Sequence, residues 1–316
     1  MVMEIAHTPV MQTEILDFLK PRGPRELMVD ATVGEGGHAE MFLSRYPDLT
    51  IAAVDADPEI LEVARTRLSP FGNRVRFFNT WFNLFFKDYP AELKRPDTVL
   101  FDLGISTFHY ELSHRGFSFR KDEPLDMRLS ADLELSAADV VNTYPEPELA
   151  EMLYRFGEER YSRRIARAIV ERRDVAPFST SAELADLITR AVPAEYRRGR
   201  LNPATRSFQA LRIAVNGELP RLESGLESAM KQLNIGGRIA VVSFHSLEDR
   251  RVKQFLREKN KASLRPEDQP MYNNEGRRVV EILTRKPVVP GPQERAANPP
   301  SRSAKLRVAV KLSEEA

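Results

Sequence analysis

The fold class of this chain is indicated by the stretch LMVDATVGEGGHAEMFLSRYPDLTIAAVDADPEIL, residues 27–61. It opens with an apolar run, turns at a glycine-rich segment and continues with the apolar spacing of a helix. It then ends in a second apolar run that stops at Asp55. A buried parallel strand, a glycine turn, a crossover helix and a second strand produce this order. The stretch therefore predicts a βα unit with its glycine loop at the carboxyl end of the first strand.

Three further apolar, β-rich runs extend this unit, at residues 74–80, 97–104 and 237–245. Short, near-continuous apolar runs are typical of strands that are buried on both faces of a parallel sheet. Helical patterns separate the first runs, so the sequence predicts a doubly wound α/β sheet. Asp57 followed by Pro58 predicts an N-cap and a first-turn proline at the start of one of these helices.

Two later strand candidates, at 277–286 and 304–312, close the chain after a charged stretch at 258–276. A sixth strand with an antiparallel seventh is the usual ending of S-adenosylmethionine-dependent methyltransferases, and dinucleotide dehydrogenases commonly lack it. The ending favours a Rossmann-like class I methyltransferase sheet, although analogy between folds does not by itself assign a function.

Residues 105–236 separate the fourth and fifth runs, far more than one crossover helix needs. Helical patterns fill this gap at residues 136–144, 146–157, 163–173, 181–192 and 205–233. The sequence therefore predicts an inserted all-helical domain over 110–205, with the last pattern forming one long helix that returns to the sheet. The catalytic domain then comprises residues 1–109 and 206–316.

The composition is that of an ordinary globular protein, with 42% hydrophobic and 29% charged residues among 316. The chain has no cysteine, which excludes disulfides and thiolate metal sites. Charges occur too early for a signal peptide, and no apolar run reaches membrane-spanning length, so a cytoplasmic location without a membrane partner is expected. The five histidines are scattered without metal-ligand spacing, and no metal is expected.

Charge is unevenly distributed, although the net charge is only +1. Residues 111–154 contain ten acidic and four basic side chains, whereas residues 155–212 contain thirteen arginines, no lysine and seven acids. The two blocks can neutralise each other in the folded chain. The choice of arginine also favours phosphate contact, because guanidinium offers a planar fork. The candidates for such contact are Arg163, Arg167, Arg198 and Arg200.

The segment GEGGHA, residues 34–39, satisfies the dinucleotide pattern G-x-G-x-x-[GA]. Its glycines allow a sharp turn and a close approach to a ligand, and Asp55 can accept both hydroxyls of a ribose. Loop and acid indicate an adenosine-containing cofactor, either a dinucleotide or S-adenosylmethionine. Two acids favour methyl transfer: Asp30, expected to brace the loop by a hydrogen bond, and Asp102, expected to project from the carboxyl edge of the sheet.

Three motifs resemble one family: FDLGISTFHYELSHRGFSFRKDEPLDMR at 101–128, RSFQALRIAVNGEL at 206–219 and VVSFHSLEDRRVK at 241–253. They are similar, in the same order, to the MraW family of bacterial 16S ribosomal RNA cytosine-N4 methyltransferases. The resemblance runs from HTPVM at 7–11 to NPPSRSAKLR at 298–307 and so covers nearly the whole chain.

The resemblance implies S-adenosylmethionine as cofactor and 16S ribosomal RNA in the small subunit as partner. It also implies N4 of cytidine 1402 (standard 16S numbering), in the decoding region, as target. By motif, the implied cofactor contacts are Gly36, Gly37, His38, Asp55, Phe82, Asp102 and His109. Position 109 departs from the family pattern, which has glutamine there, and an imidazole cannot offer the amide's pair of hydrogen bonds.

The exocyclic amine of cytosine is a poor nucleophile, because its lone pair is conjugated into the ring. A methyltransferase must hold this amine in line with the methyl group and accept a hydrogen bond from one of its N–H groups. Asp102 is the candidate for this acceptor, for a cofactor ligand, or for both. Ser106 and Phe108 are candidate contacts to the base, with Phe108 stacking on it.

His245, in the segment SFHSLEDRR at 243–251, is the second catalytic candidate, through substrate contact. Its neighbours Ser246, Glu248 and Asp249 are expected to begin a helix, with Ser246 as the N-cap. Two other functions stay open at the level of sequence: a dinucleotide-dependent oxidoreductase, and a non-catalytic RNA-binding factor that keeps the cofactor fold.

Overall fold

The computed structural model describes residues 8–261 and 278–314 of the chain. Two compact units are present. The sheet unit combines Met1–Gly104 with Leu219–Ala316, and the helical unit comprises Ile105–Glu218.

Seven strands form the sheet: β1 Leu27–Asp30, β2 Thr50–Asp55, β3 Val75–Asn79, β4 Thr98–Asp102, β5 Arg238–Ser243, β6 Val280–Ile282 and β7 Lys305–Lys311. Their order is β3-β2-β1-β4-β5-β7-β6. Strands β1 to β5 pair in parallel, and β7 lies antiparallel between β5 and β6. The doubly wound sheet and its antiparallel seventh strand are confirmed. Most of the charged stretch predicted at 258–276 lies outside the described residues.

The helices of both units, in chain order, are α1 Gln12–Leu19, α2 Gly37–Arg45, α3 Pro58–Leu68, α4 Phe82–Lys87, α5 Thr107–Glu111, α6 Ala137–Thr143, α7 Glu146–Gly157, α8 Ser162–Arg173, α9 Ser181–Ala191, α10 Ala194–Arg197, α11 Thr205–Asn216, α12 Glu218–Gln232, α13 Ser246–Lys259 and α14 Pro292–Ala297. Short 3-10 turns follow α3 and α14. Across residues 8–261 and 278–314, no helix combines the length and the apolar character needed to cross a bilayer.

Side chains alternate along the strands, so the sheet buries both of its faces. One face packs against α1, α2 and α3, through residues such as Ile15, Phe42 and Leu61. The other face packs against α4, α12 and α13, through residues such as Phe86 and Leu226. The two helical layers hold the strands in place, and the carboxyl ends of the parallel strands share one edge of the sheet.

The helical unit has its own apolar core, to which Leu149, Ile165, Leu184 and Phe208 contribute. The single long helix predicted over 205–233 is wrong. Gly217 adopts φ +56° and ends α11 in a left-handed cap, so α11 and α12 are separate helices. Helix α11 packs on α7 within the helical unit, which therefore extends beyond the predicted 110–205.

Candidate functional site

The glycine loop joins β1 to α2 through two left-handed residues. Gly34 has φ +53° and Gly36 has φ +82°, conformations that residues with a side chain rarely adopt. The N–H of Gly36 donates to the carbonyl of Val33 at 2.8 Å, and the N–H of Val33 donates to the carbonyl of Val54 at 2.9 Å. The backbone thus ties the loop to the carboxyl end of β2.

Asp55, at the end of β2, fastens the same loop with its side chain. Its Oδ2 accepts the N–H of Gly34 at 2.9 Å, and its Oδ1 accepts the N–H of Asp57 at 3.0 Å. Asp57 in turn caps α3, accepting the N–H of Glu59 at 3.0 Å ahead of Pro58, as the sequence predicts. The contact of Asp55 with a ribose stays a prediction.

Two glycines of the loop also make room for other parts of the protein. A Cβ at Gly37 would lie 2.3 Å from Cγ of Pro9, and a Cβ at Gly36 would lie 3.2 Å from the side chain of Leu68. The sequence explains these glycines by the approach of a cofactor. The structure adds a packing requirement, which no local pattern reveals because Pro9 and Leu68 are distant in the chain.

Three polar side chains, two of them buried and one partly exposed, lie together at the carboxyl edge of the sheet. Asp30 ends β1, Asp102 ends β4, and His38 lies in the first turn of α2. His38 Nε2 is 3.3 Å from Asp102 Oδ2. Among the described residues, Asp102 Oδ1, His38 Nδ1 and both oxygens of Asp30 are buried and have no hydrogen-bond partner. Such atoms cost free energy unless a ligand or water satisfies them.

Burial raises the pKa of the Asp30 carboxyl from 3.8 to about 7. His38 opposes this rise, Asp102 adds to it, the N–H of Thr32 opposes it and Asp55 adds slightly to it. The Thr32 N–H is close enough to act on the carboxylate, but no hydrogen bond of standard geometry forms. Asp55 fastens the loop by a hydrogen bond, and the loop-bracing role of Asp30 stays a prediction.

Thr32 positions the neighbouring strand and has no signal in the sequence. Its hydroxyl oxygen accepts the N–H of Asp102 at 2.7 Å, across 70 residues of chain. This bond holds the end of β4 against the loop that follows β1. Asp102 does project at the carboxyl edge, as the sequence predicts, with its side chain 17% exposed.

Phe82 begins α4 and is half-buried. Its ring meets Phe101 edge to face, with centroids 5.4 Å apart. A Cβ at Gly225 of α12 would lie 2.6 Å from the Phe82 ring, so the backbone of α12 packs directly on it. Phe82 is thus held by core contacts on two sides, and its cofactor contact stays a prediction.

His245 is the N-cap of α13, so the N-cap predicted at Ser246 is wrong. His245 Nδ1 accepts the N–H of Glu248 at 3.3 Å, while Glu248 Oε2 accepts the N–H groups of Phe244 and His245 at 2.8 and 3.2 Å. Because Nδ1 is an acceptor, the neutral imidazole carries its proton on Nε2, 3.1 Å from Glu248 Oε1. The imidazole therefore has a structural task, and its substrate contact stays a prediction.

Ser106, Phe108 and His109 belong to the helical unit, around the short helix α5. The hydroxyl of Ser106 accepts the N–H of Phe108 at 2.9 Å, and His109 Nδ1 accepts the N–H of Ser106 at 3.1 Å. In neutral His109 the proton is therefore on Nε2. Phe108 is buried, so stacking on a base requires its ring to become exposed. The roles expected for these three residues stay predictions.

Known proteins are similar to this chain over almost its whole length. A family model described as the MraW methylase family matches residues 4–312. Proteins named ribosomal RNA small subunit methyltransferase H align over 98% of the chain. The one from Treponema denticola is 54% identical and covered over 98% of its length, and one from a Nostoc species is 46% identical and covered over 94%. A solved structure described as a putative rRNA-methylase from Clostridium thermocellum is 14% identical, with a TM-score of 0.42 over 96% of this chain and 94% of that one.

Proposed function

The chain belongs to the MraW methylase family, and from this premise we propose that it methylates N4 of a cytidine in 16S ribosomal RNA. Its cofactor is S-adenosylmethionine, and its reaction is the methylation of ribosomal RNA. The name of the relatives supports the small ribosomal subunit as substrate, since the alignment spans both chains. The N4 atom and cytidine 1402 rest on the family resemblance and are part of the proposal.

The observation that carries the proposal is the set of unsatisfied polar atoms on Asp30, His38 and Asp102. The carboxylate of Asp102, together with that of Asp30 when it is ionised, fits a cofactor that carries positive charge, and S-adenosylmethionine has both a sulfonium and an ammonium group. A dinucleotide would bring its negatively charged pyrophosphate to the same loop, where these carboxylates would repel it. The charge of the site therefore favours S-adenosylmethionine over a dinucleotide.

The sheet unit offers further groups for holding this cofactor. Asp55, whose carboxylate oxygens accept the backbone N–H groups of Gly34 and Asp57, is the proposed acceptor for the hydroxyls of the ribose. The cofactor contacts proposed within this unit are Gly36, Gly37, His38, Asp55, Phe82 and Asp102.

When bound, the cofactor supplies an electrophilic methyl group on sulfur. The protein has to place the cytosine amine in line with that methyl group and to accept a hydrogen bond from an N–H group of the amine. Asp102 Oδ1, which is buried without a partner among the described residues, is the proposed acceptor. The same oxygen could instead accept from the ammonium group of the cofactor, and both roles agree with its position.

We assign recognition of the RNA to the helical unit, Ile105–Glu218. A cytidine in folded ribosomal RNA needs a broad protein surface that grips phosphates and fixes the register, while the base enters the reaction pocket. The arginine-rich segment 155–212 lies in this unit. A surface that reads shape predicts a preference for assembled or nearly assembled small subunits over naked 16S RNA.

The test is methyl transfer to small subunits isolated from cells that lack the gene. The protein is incubated with methyl-labelled S-adenosylmethionine, the RNA is digested, and the labelled nucleosides are identified by mass spectrometry. N4-methylcytidine at position 1402 is the expected product. Label in another nucleoside, or at another position, would overturn the proposal.

A second measurement separates the cofactor classes. S-adenosylhomocysteine is expected to raise the melting temperature of the protein, and NAD is expected to leave it unchanged. A rise in melting temperature with NAD and not with S-adenosylhomocysteine would favour a dinucleotide-dependent oxidoreductase instead.

A further inference from the structure

A pair of tyrosines holds together two arginine-rich stretches of the helical unit, residues 155–164 and 195–200. The rings of Tyr161 and Tyr196 meet edge to face, with centroids 5.0 Å apart. Tyr161 is the residue before α8, and Tyr196 lies in α10. Their contact therefore places the start of α8 beside the turn that follows α10.

Glu159 lies at the centre of this contact and is fully buried. Its Oε1 accepts the N–H of Tyr161 at 2.8 Å, and its Oε2 accepts the hydroxyl of Tyr196 at 2.6 Å. Burial and this hydrogen bond raise the pKa of Tyr196 to about 12, so the hydroxyl stays protonated. Among the described residues, Glu159 forms no ion pair with an arginine within 4.0 Å. The exposed acids of the two stretches are Glu158 and Glu195.

Arg160 lies over both tyrosines. Its guanidinium carbon is 4.9 Å from the centroid of Tyr161 and 4.9 Å from that of Tyr196. Arg160 is exposed, so the rings position a planar cation that still faces solvent. A guanidinium held in this way keeps its N–H groups for a phosphate and loses little conformational freedom when it binds one.

Four more exposed arginines flank the tyrosine pair: Arg163, Arg164, Arg198 and Arg200. Within the part of the chain that the structure describes, none of them has a carboxylate within 4.0 Å. Other arginines of the same segment are paired. Arg155 is 3.2 Å from Glu151, and Arg167, a candidate from the sequence, is 3.7 Å from Glu146.

The stability of α8 does not explain the arginines at its start. Arg163 and Arg164 lie in the first turn of α8, which contains no acid. The backbone dipole there is positive and disfavours cations. The dipole of α8 therefore does not stabilise these two side chains.

We propose that Arg160, Arg163, Arg164, Arg198 and Arg200, arranged around Tyr161 and Tyr196, form a surface that binds the phosphate backbone of ribosomal RNA. This arginine–tyrosine surface has planar donors and a rigid aromatic support, and none of its arginines forms an ion pair with residues 8–261 or 278–314. Contacts of this kind position a protein on RNA without reading its bases. The inference rests on the proposed function, because it takes ribosomal RNA as the partner.

The experiment compares two double variants that lose the same charge. Arg163→Ala with Arg198→Ala removes two members of the surface. Arg65→Ala with Arg155→Ala removes two arginines that are paired with acids. Binding to small subunits is measured at several salt concentrations, and the affinity for S-adenosylmethionine and the melting temperature serve as controls. The salt slope is the slope of the logarithm of affinity against the logarithm of salt concentration. In the surface variant it is expected to become shallower by roughly 0.7–0.9 for each lost phosphate contact. The paired variant should keep the wild-type slope.

Equal salt slopes for the two variants would overturn the inference. So would a surface variant that binds protein-free 16S RNA like the wild type and assembled subunits less well, because the surface would then contact a ribosomal protein. Failure of the proposed function looks different: the wild-type protein would form no N4-methylcytidine, whatever its salt slope.

Discussion

Asp55 closes the glycine loop: its Oδ2 accepts the N–H of Gly34, 21 residues earlier in the chain, at 2.9 Å. The carboxylate therefore has a structural role before any cofactor binds. The same residue is the proposed ligand of the ribose, so loop geometry and cofactor binding depend on one side chain.

Asp55→Ala is expected to weaken both the fold and cofactor binding. Two backbone N–H groups lose a charged acceptor, which costs about 1–3 kcal/mol in the free energy of unfolding, and the affinity for S-adenosylmethionine falls as well. Denaturant unfolding and calorimetry measure the two effects. Asp57→Ala is the control, because it removes a helix cap worth about 1 kcal/mol beside the site. If Asp55→Ala bound S-adenosylmethionine as tightly as Asp57→Ala does, the proposed role of Asp55 as ligand of the ribose would be contradicted.

Asp102→Asn is expected to lower kcat by about tenfold or more, since the amide keeps the shape but loses the charge and half of the acceptor oxygens. If Asp102 accepts from the cytosine amine, cofactor affinity stays near the wild-type value. If it holds the cofactor, the affinity falls too. Single-turnover methyl transfer and calorimetry distinguish these cases. Asp97→Asn, just before the other end of β4, is the matched control. Wild-type turnover in Asp102→Asn would place the reaction elsewhere.

Asp30 should make the stability of the cofactor-free protein depend on pH. Its pKa is about 7 in the folded protein, against an ordinary value of 3.8 that applies to the unfolded chain, so folding disfavours the ionisation of this carboxyl. The penalty is absent below the lower value, grows as the pH rises between the two, and is constant above about 7. It reaches roughly 4 kcal/mol at most. Asp30→Asn removes the penalty, so its stability relative to the wild type should rise with pH across this window. Urea unfolding at pH 5 and pH 8 tests this, and a difference that does not change with pH would refute it.

His245 can be tested for substrate contact apart from its capping role. His245→Ala removes the cap of α13 and should cost about 1 kcal/mol in the free energy of unfolding. His245→Asn keeps a good N-cap, so its melting temperature should stay near that of the wild type, while methyl transfer to small subunits falls. Thermal unfolding and initial rates measure the pair. A fully active His245→Asn protein would leave His245 with the structural role alone.

Local patterns in the sequence determined the architecture. Apolar runs predicted the parallel strands and the antiparallel ending, and Asp57 before Pro58 predicted the start of α3. The helical insertion followed from a gap without β-rich runs. These features depend on hydrophobic periodicity, glycine conformations and helix capping. Each of them acts over a few residues, so each is visible in the order of the amino acids.

The contacts and the burial of residues that are distant in the chain became visible in the tertiary structure alone. It placed His38 3.3 Å from Asp102, gave the loop-fastening role to Asp55 and left the carboxylate of Asp30 buried with a raised pKa. Within the arginine-rich segment, it placed Arg167 3.7 Å from Glu146, whereas Arg163 has no carboxylate within 4.0 Å among the described residues. Hydrogen bonds, ion pairs and desolvation depend on distances between atoms, and for residues tens of positions apart those distances exist only once the chain has folded.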